Sequence, residues 1–246
     1  MTALSRNSRV LVAADFDDAS GSALKMAGAL AAAGDVDLTV FHATTFEAPT
    51  YFTAAQIGAI EAEREQSRAD IANRLGAFVR QHIRSAVRVV VGEGPPQDAI
   101  LRIAGSFDLI VVGTHRLHGP RRWWLGSVAE AVVRQSPRPV LVVPAGAAVP
   151  ETRDAPTILA AGGHDATVDA WVDALRTAFG GKVVRSPNID QCAPDRVRNA
   201  DLIVLSMPAE IGTPAQFGAI VQVLKECVRP VLFVPCPAGI VERSSS

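Results

Sequence analysis

The 246 residues carry 24 Lys and Arg against 25 Asp and Glu, a net charge of -1, and 48% of them are hydrophobic. That balance excludes a disordered chain and a protein that holds nucleic acid by bulk charge, and it supplies enough apolar material for a real core. No run of about 18 apolar residues occurs, so no membrane-spanning helix is expected. The opening MTALSRNSRV has no apolar signal-peptide core, and Cys192, Cys227 and Cys236 stand at no metal-like spacing. A reduced, cytoplasmic setting is the expectation.

In chain order, Arg9–Ala14 is a short apolar run without alternation, ending in the acidic cluster Asp15-Phe16-Asp17-Asp18. Such a run predicts a strand buried on both faces of a parallel sheet. Ser20 reads as the N-cap of a helix over Ser22–Ala33, stopped by Gly34. A second strand is expected at Val36–Ala43. Gly58–Ser85 scatters Ile60, Ile71, Leu75, Phe78 and Val79 among charges, the pattern of an amphipathic helix. Further strands are expected at Val87–Val91, Leu109–Gly113 and Val140–Val143, with helices near Gln97–Ala104 and Ser127–Ser136. Strands alternating with helices predict an α/β doubly wound layout.

The second half repeats the first in shortened form. Asp108-Leu109-Ile110-Val111-Val112 returns as Asp201-Leu202-Ile203-Val204-Leu205, and Arg138–Pro144 returns as Arg229–Pro235. At the starts, Val10–Ala19 lines up with Thr157–Ala166, which sets Asp15 against Gly162 and Gly113 against Ser206. The long charged helix has no counterpart. Two domains are therefore expected, 1–148 and 149–246, with the boundary inside Ala145–Ala155. Each is expected to be an open, mostly parallel five-stranded-type sheet with helices on both faces, the second one shortened.

The segment from Val112 to Val128 runs from a strand's C-terminal end to a helix start. Ligands of open parallel sheets bind at that edge, and N–H groups at a helix N-terminus favour an anion. Gly126-Ser127 would let backbone approach a phosphate, while Arg116, His118, Arg121 and Arg122 add positive charge. A plain connecting loop is the other reading of the same pattern. His42 and His115 stand at strand ends near this edge, and Trp123-Trp124 could stack on a base or pack on the following helix. His164-Asp165 reads as a solvated turn, and the cysteines read as buried.

The segment resembles the ATP-binding loop of the universal stress protein family: Gly, two residues, Gly, nine residues, then Gly-Ser or Gly-Thr. Gly113 matches the first glycine and Gly126-Ser127 the last pair. DLIVVGTH before the loop, LGSVAEAVV and PRPVLVVP after it, Asp15, and Phe41-His42-Ala43 are similar as well. The likeness spans Arg9–Pro144, so the whole chain resembles a tandem universal stress protein with an adenine nucleotide alpha hydrolase-like fold. It departs at the second glycine, where Arg116 stands; that arginine either crowds a phosphate or clasps it.

The resemblance implies a stress-response regulator that binds ATP, with Mg2+, in the first half, and that is at most a slow ATPase. Ala13 would line the adenine pocket, Asp15 would meet the ribose or a metal-bound phosphate, and Ala43 would offer backbone groups to adenine. Val112, Gly113, Arg116, Gly126, Ser127 and Val128 would surround phosphate and ribose. No second nucleotide site is expected. The alternative is a scaffold of the same family that works through protein contacts, with an unknown regulatory protein as partner. Because single-domain relatives pair through their last strand, Val140–Val143 and Val231–Val234 are expected to lie antiparallel as an internal pseudo-dimer; a homodimer stays open.

Overall fold

The computed structural model describes residues 4–5, 7–45, 54–115, 125–150, 155–162, 166–187, 189, 192–208, 218, 220 and 229–236. Arg116, His118, Arg121, Arg122, Trp123, Trp124, His164, Asp165 and Cys227 lie outside the described residues.

The first half runs β1 (Ser8–Ala13), α1 (Asp18–Ala33), β2 (Val36–Thr44), α2 (Ala54–His82), β3 (Arg88–Glu93), α3 (Pro96–Ala104), β4 (Leu109–Thr114), α4 (Ser127–Gln135) and β5 (Val140–Pro144). The second half runs β6 (Thr157–Ala161), α5 (Ala166–Phe179), β7 (Lys182–Ser186), α6 (Pro194–Asn199), β8 (Leu202–Pro208) and β9 (Val231–Cys236). Both faces of the sheet are buried, as the unbroken apolar runs require. Val10, Val12, Leu109, Val111 and Leu141 face one core with α1 and α2. Leu11, Ile110, Val112, Val140 and Val142 face the other with α3 and α4.

Among the described residues the two halves merge into one sheet, in the order β3-β2-β1-β4-β5-β9-β8-β6-β7. Five strands come from the first half and four from the second, which has no counterpart of β3. All pairings are parallel except the seam, where β5 and β9 run antiparallel with Leu141 opposite Leu232. The expected antiparallel neighbours are thus observed.

The repeated Asp has a structural reason. The Asp108 carboxylate accepts the Arg9 N–H at 2.8 Å, and the Asp201 carboxylate accepts the Thr157 N–H at 2.9 Å. Each Asp therefore holds the entry of its neighbouring strand. Behind the Arg-Pro repeat, Ile110 N–H bonds to Pro139 O and Ile203 N–H to Pro230 O, both at 3.0 Å.

Two sequence expectations need correction. The α1 N-cap is Asp17, not Ser20: the Asp17 side chain accepts the Ser20 N–H, and the helix starts four residues before the expected Ser22. A carboxylate at the first non-helical position satisfies that donor better than a hydroxyl already inside the first turn. The alignment of the repeat also shifts by one. Val10 pairs with Leu109 as Ile158 pairs with Leu202, so Thr157 is the equivalent of Arg9, not of Val10. Gly162 then corresponds to Ala14, and the partner of Asp15 is Gly163, outside the described residues.

Candidate functional site

Strand order turns around at β1. Chain connections step outward from β1 through β2 to β3, then cross back to β4 and on to β5. Crevices of open α/β sheets form at the carboxyl ends of the strands at such a reversal. A cleft of about 280 Å³ lies there, lined by the ends of β1, β2 and β4 and by the starts of α1, α3 and α4. Eight of the nine residues singled out in the sequence line it: Ala13, Asp15, Ala43, Val112, Gly113, Gly126, Ser127 and Val128. The ninth, Arg116, lies outside the described residues. Sequence reasoning missed Ser20, Pro96, Ile100 and Thr114, which line the cleft too. They belong to ordinary helix and strand patterns, and only the fold brings them to one edge.

The two glycines play different parts. A Cβ on Gly113 would sit 2.6 Å from the Ala19 carbonyl carbon, so this position lets α1 lie close on β4. That contact accounts for the glycine without any ligand. A Cβ on Gly126 would meet nothing within 4 Å, and its φ of -57 needs no glycine. Gly126 is the N-cap of α4 and carries no side chain to accept the N–H groups of that helix's first turn. Among the described residues no side chain caps this helix, so its backbone donors and the positive end of its dipole face the cleft. Gly126 N–H reaches Thr114 Oγ1 at 3.4 Å, which ties the two ends of the intervening loop together.

The β1–α1 side of the cleft is acidic. Ser20 Oγ donates to Asp15 Oδ1 at 2.7 Å and accepts the Asp15 N–H at 2.9 Å. Asp17 Oδ1 accepts the Ser20 N–H at 2.6 Å, and Asp17 Oδ2 lies 2.6 Å from His115 Nε2. Partial burial holds the Asp15 carboxyl above the usual carboxylate range, and its hydrogen bond to Asp17 and that residue's charge add to the rise. For Asp17 burial also pushes upward, but hydrogen bonds from Asp15 and Ser20 and the nearby His115 outweigh it, so its carboxyl is held low. Between them Phe16 sits at φ 68, a left-handed conformation that is costly for a bulky residue. Its ring lies against His42 at 4.8 Å and Phe78 at 5.8 Å, with the Arg74 guanidinium 5.3 Å from its centre. His42 donates through Nδ1 to Ala14 O at 2.8 Å, so it is a backbone partner as well as a cleft residue. Asp15, Asp17 and His115 are the described residues that could hold a metal ion.

In the second half the ends of β6 and β8 approach each other closely. Gly162 takes φ 120, and a Cβ there would lie 2.4 Å from the Ser206 Cβ. Ser206 stands at the position equivalent to Gly113, so here the glycine of the close approach is at the end of β6.

The model of the universal stress protein family matches residues 6–144. The chain belongs to the universal stress protein family. Universal stress proteins of Mycobacterium tuberculosis and Mycobacterium bovis are 34% identical to it over 146 residues, which is 57% of this chain and 46% of each relative. This universal stress protein thus spans about half the length of the curated relatives it matches. A universal stress protein structure from Archaeoglobus fulgidus covers 94% of this chain and 97% of its own at a TM-score of 0.62 and 15% identity, which is a likeness of fold across both halves. A universal stress protein solved in complex with cAMP is 28% identical over 58% of this chain and 100% of its own, with a TM-score of 0.40. No helix among the described residues is long and apolar enough to cross a membrane.

Proposed function

We propose that this universal stress protein is a stress-response regulator that binds an adenine nucleotide, ATP in the first place, in the first-half cleft and does not turn it over fast. The observation that carries the reading is the bare N-terminus of α4 at the switch-point cleft, with Gly126 open to the space in front of it. Backbone donors without a side-chain cap are suited to phosphate oxygens. Ala13, Ala43 and Val112 give the apolar floor that an adenine ring needs. Asp15 lines the same cleft and would meet a ribose hydroxyl or a metal-bound phosphate. One site per chain is proposed, because Ser206 and Gly162 close on each other in the second half.

Calorimetry with ATP tests this. Wild type should bind one nucleotide per chain, and Gly126→Val should lose binding because its branched side chain enters the open space. That change costs the fold no more than about 1 kcal/mol as an N-cap substitution, so circular dichroism should show it folded. A Ser206→Ala variant should bind as wild type does. No binding by wild type at millimolar ATP overturns the reading and favours a scaffold that acts through protein contacts alone.

A further inference from the structure

Asp15 and Asp17 on the β1–α1 loop and His115 just past β4 each offer one ligand atom, and these atoms all lie within 4.8 Å of one another. Nearly a hundred residues of chain separate the two segments, and only the parallel pairing of β1 with β4 brings them together. Two ligands bound to one ion at ~2.1 Å each can stand at most ~4.2 Å apart. That limit is for ligands on opposite sides of the ion; neighbouring ligands stand ~3.0–3.4 Å apart, so the widest pair must close by about 1.5 Å through rotation of the exposed Asp15 and His115 side chains. The cluster is not purely acidic. Two carboxylates and an imidazole are a mixed oxygen and nitrogen set, which suits first-row transition metals, whereas Mg2+ and Ca2+ favour oxygen alone. The N-terminal end of α1 opposes a cation with about half a unit of charge, and two carboxylates exceed that. His115 is 63% exposed at the cleft mouth, so an ion has an entry path and would keep coordination positions facing the cleft.

We propose that Asp15, Asp17 and His115 form a site for a divalent first-row transition metal of the zinc or manganese class, loaded in the absence of nucleotide. An ion held there shares the cleft with the α4 N-terminus. It would convert the acidic wall into one that accepts an anion.

The test uses Co2+ as a spectroscopic probe on the full, untagged chain without nucleotide, so its outcome is separate from that of the ATP titration. Wild type should show saturable visible absorption from a nitrogen- and oxygen-ligated ion at one equivalent per chain. Zn2+ should displace it, and millimolar Mg2+ should not. His115→Gln and Asp15→Asn, each folded by circular dichroism, should weaken Co2+ binding tenfold or more. Asp169→Asn, on the far helix α5, should leave it unchanged. Absence of saturable binding in wild type, an unchanged affinity in His115→Gln, or displacement by Mg2+ as readily as by Zn2+ would overturn the assignment.

Discussion

Asp15 and Asp17 are two residues apart and are driven in opposite directions. Asp15 is raised, chiefly by burial, and Asp17 is lowered despite burial. A carboxyl whose folded pKa is raised binds its proton more tightly in the folded chain than in the unfolded one. Its ionisation therefore opposes folding as pH rises through that folded value, and the cost is absent in acid. Asp17 has the reverse sign: its contribution is full at neutral pH and is lost as pH falls through its lowered folded value. The sites can be separated by substitution. Asp15→Asn keeps an oxygen for the Ser20 hydroxyl and a donor for Asp17, and it removes the raised carboxyl. It should be more stable than wild type at neutral pH, and the gain should vanish in acid, where Asp15 is already protonated. Denaturant midpoints compared across that range check it. An equal difference at both ends would mean that ionisation of Asp15 is not the cause.

At the scale of elements, the helix α5 carries Trp171, fully buried with an indole nitrogen that finds no hydrogen-bond partner among the described residues. An unpaired buried donor costs about 1–3 kcal/mol. Trp171→Phe removes that donor at the expense of a smaller ring, so the two effects oppose each other and stability should change by less than about 1 kcal/mol. Trp171→Ala leaves a cavity with no such compensation and should cost about 3–5 kcal/mol. Thermal or denaturant unfolding of the pair measures the difference; a Phe variant as damaged as the Ala variant would show that packing alone governs the position. The same scale shows what could be read in the sequence. Unbroken apolar runs such as Leu109–Val112 located the strands within one or two residues, because a two-sided buried strand has no competing pattern. The start of α1 was misplaced because Asp17 and Ser20 are both good caps, and only their geometry ranks them. The one-residue slip in the repeat came from similar small residues at both strand ends, where only the strand pairing and the Asp108 and Asp201 hydrogen bonds reveal the register. In the cleft, Gly113, Gly126 and Ser127 are picked out by a spacing pattern and Ala13, Asp15 and Ala43 by the family resemblance alone, whereas Ser20, Thr114 and Ile100 carry no local signal of the edge they share.

At the scale of the molecule, the second half gives the first a partner for its last strand. β5 is buried along its whole length, with Val140 and Leu141 at 1% exposure, and its outer edge is paired by β9. Without β9, that edge would present unpaired N–H and C=O groups beside apolar side chains, the arrangement that recruits another strand. The second half keeps the features this role needs, namely β9 with Leu232 opposite Leu141 and the Asp201 contact that fixes the start of β6. At its strand ends Ser206 stands where the first half has Gly113, packed close against Gly162. A chain ending at Pro150 should therefore self-associate, either as a dimer that rebuilds the seam with a second β5 or as aggregates. Replacing Leu141 by Lys in that shortened chain should weaken the association, because like charges would face each other across the rebuilt seam. Light scattering decides the matter. A stable monomer from the shortened chain would mean that β5 does not need its neighbour, and the explanation for what the second half has retained would fall with it.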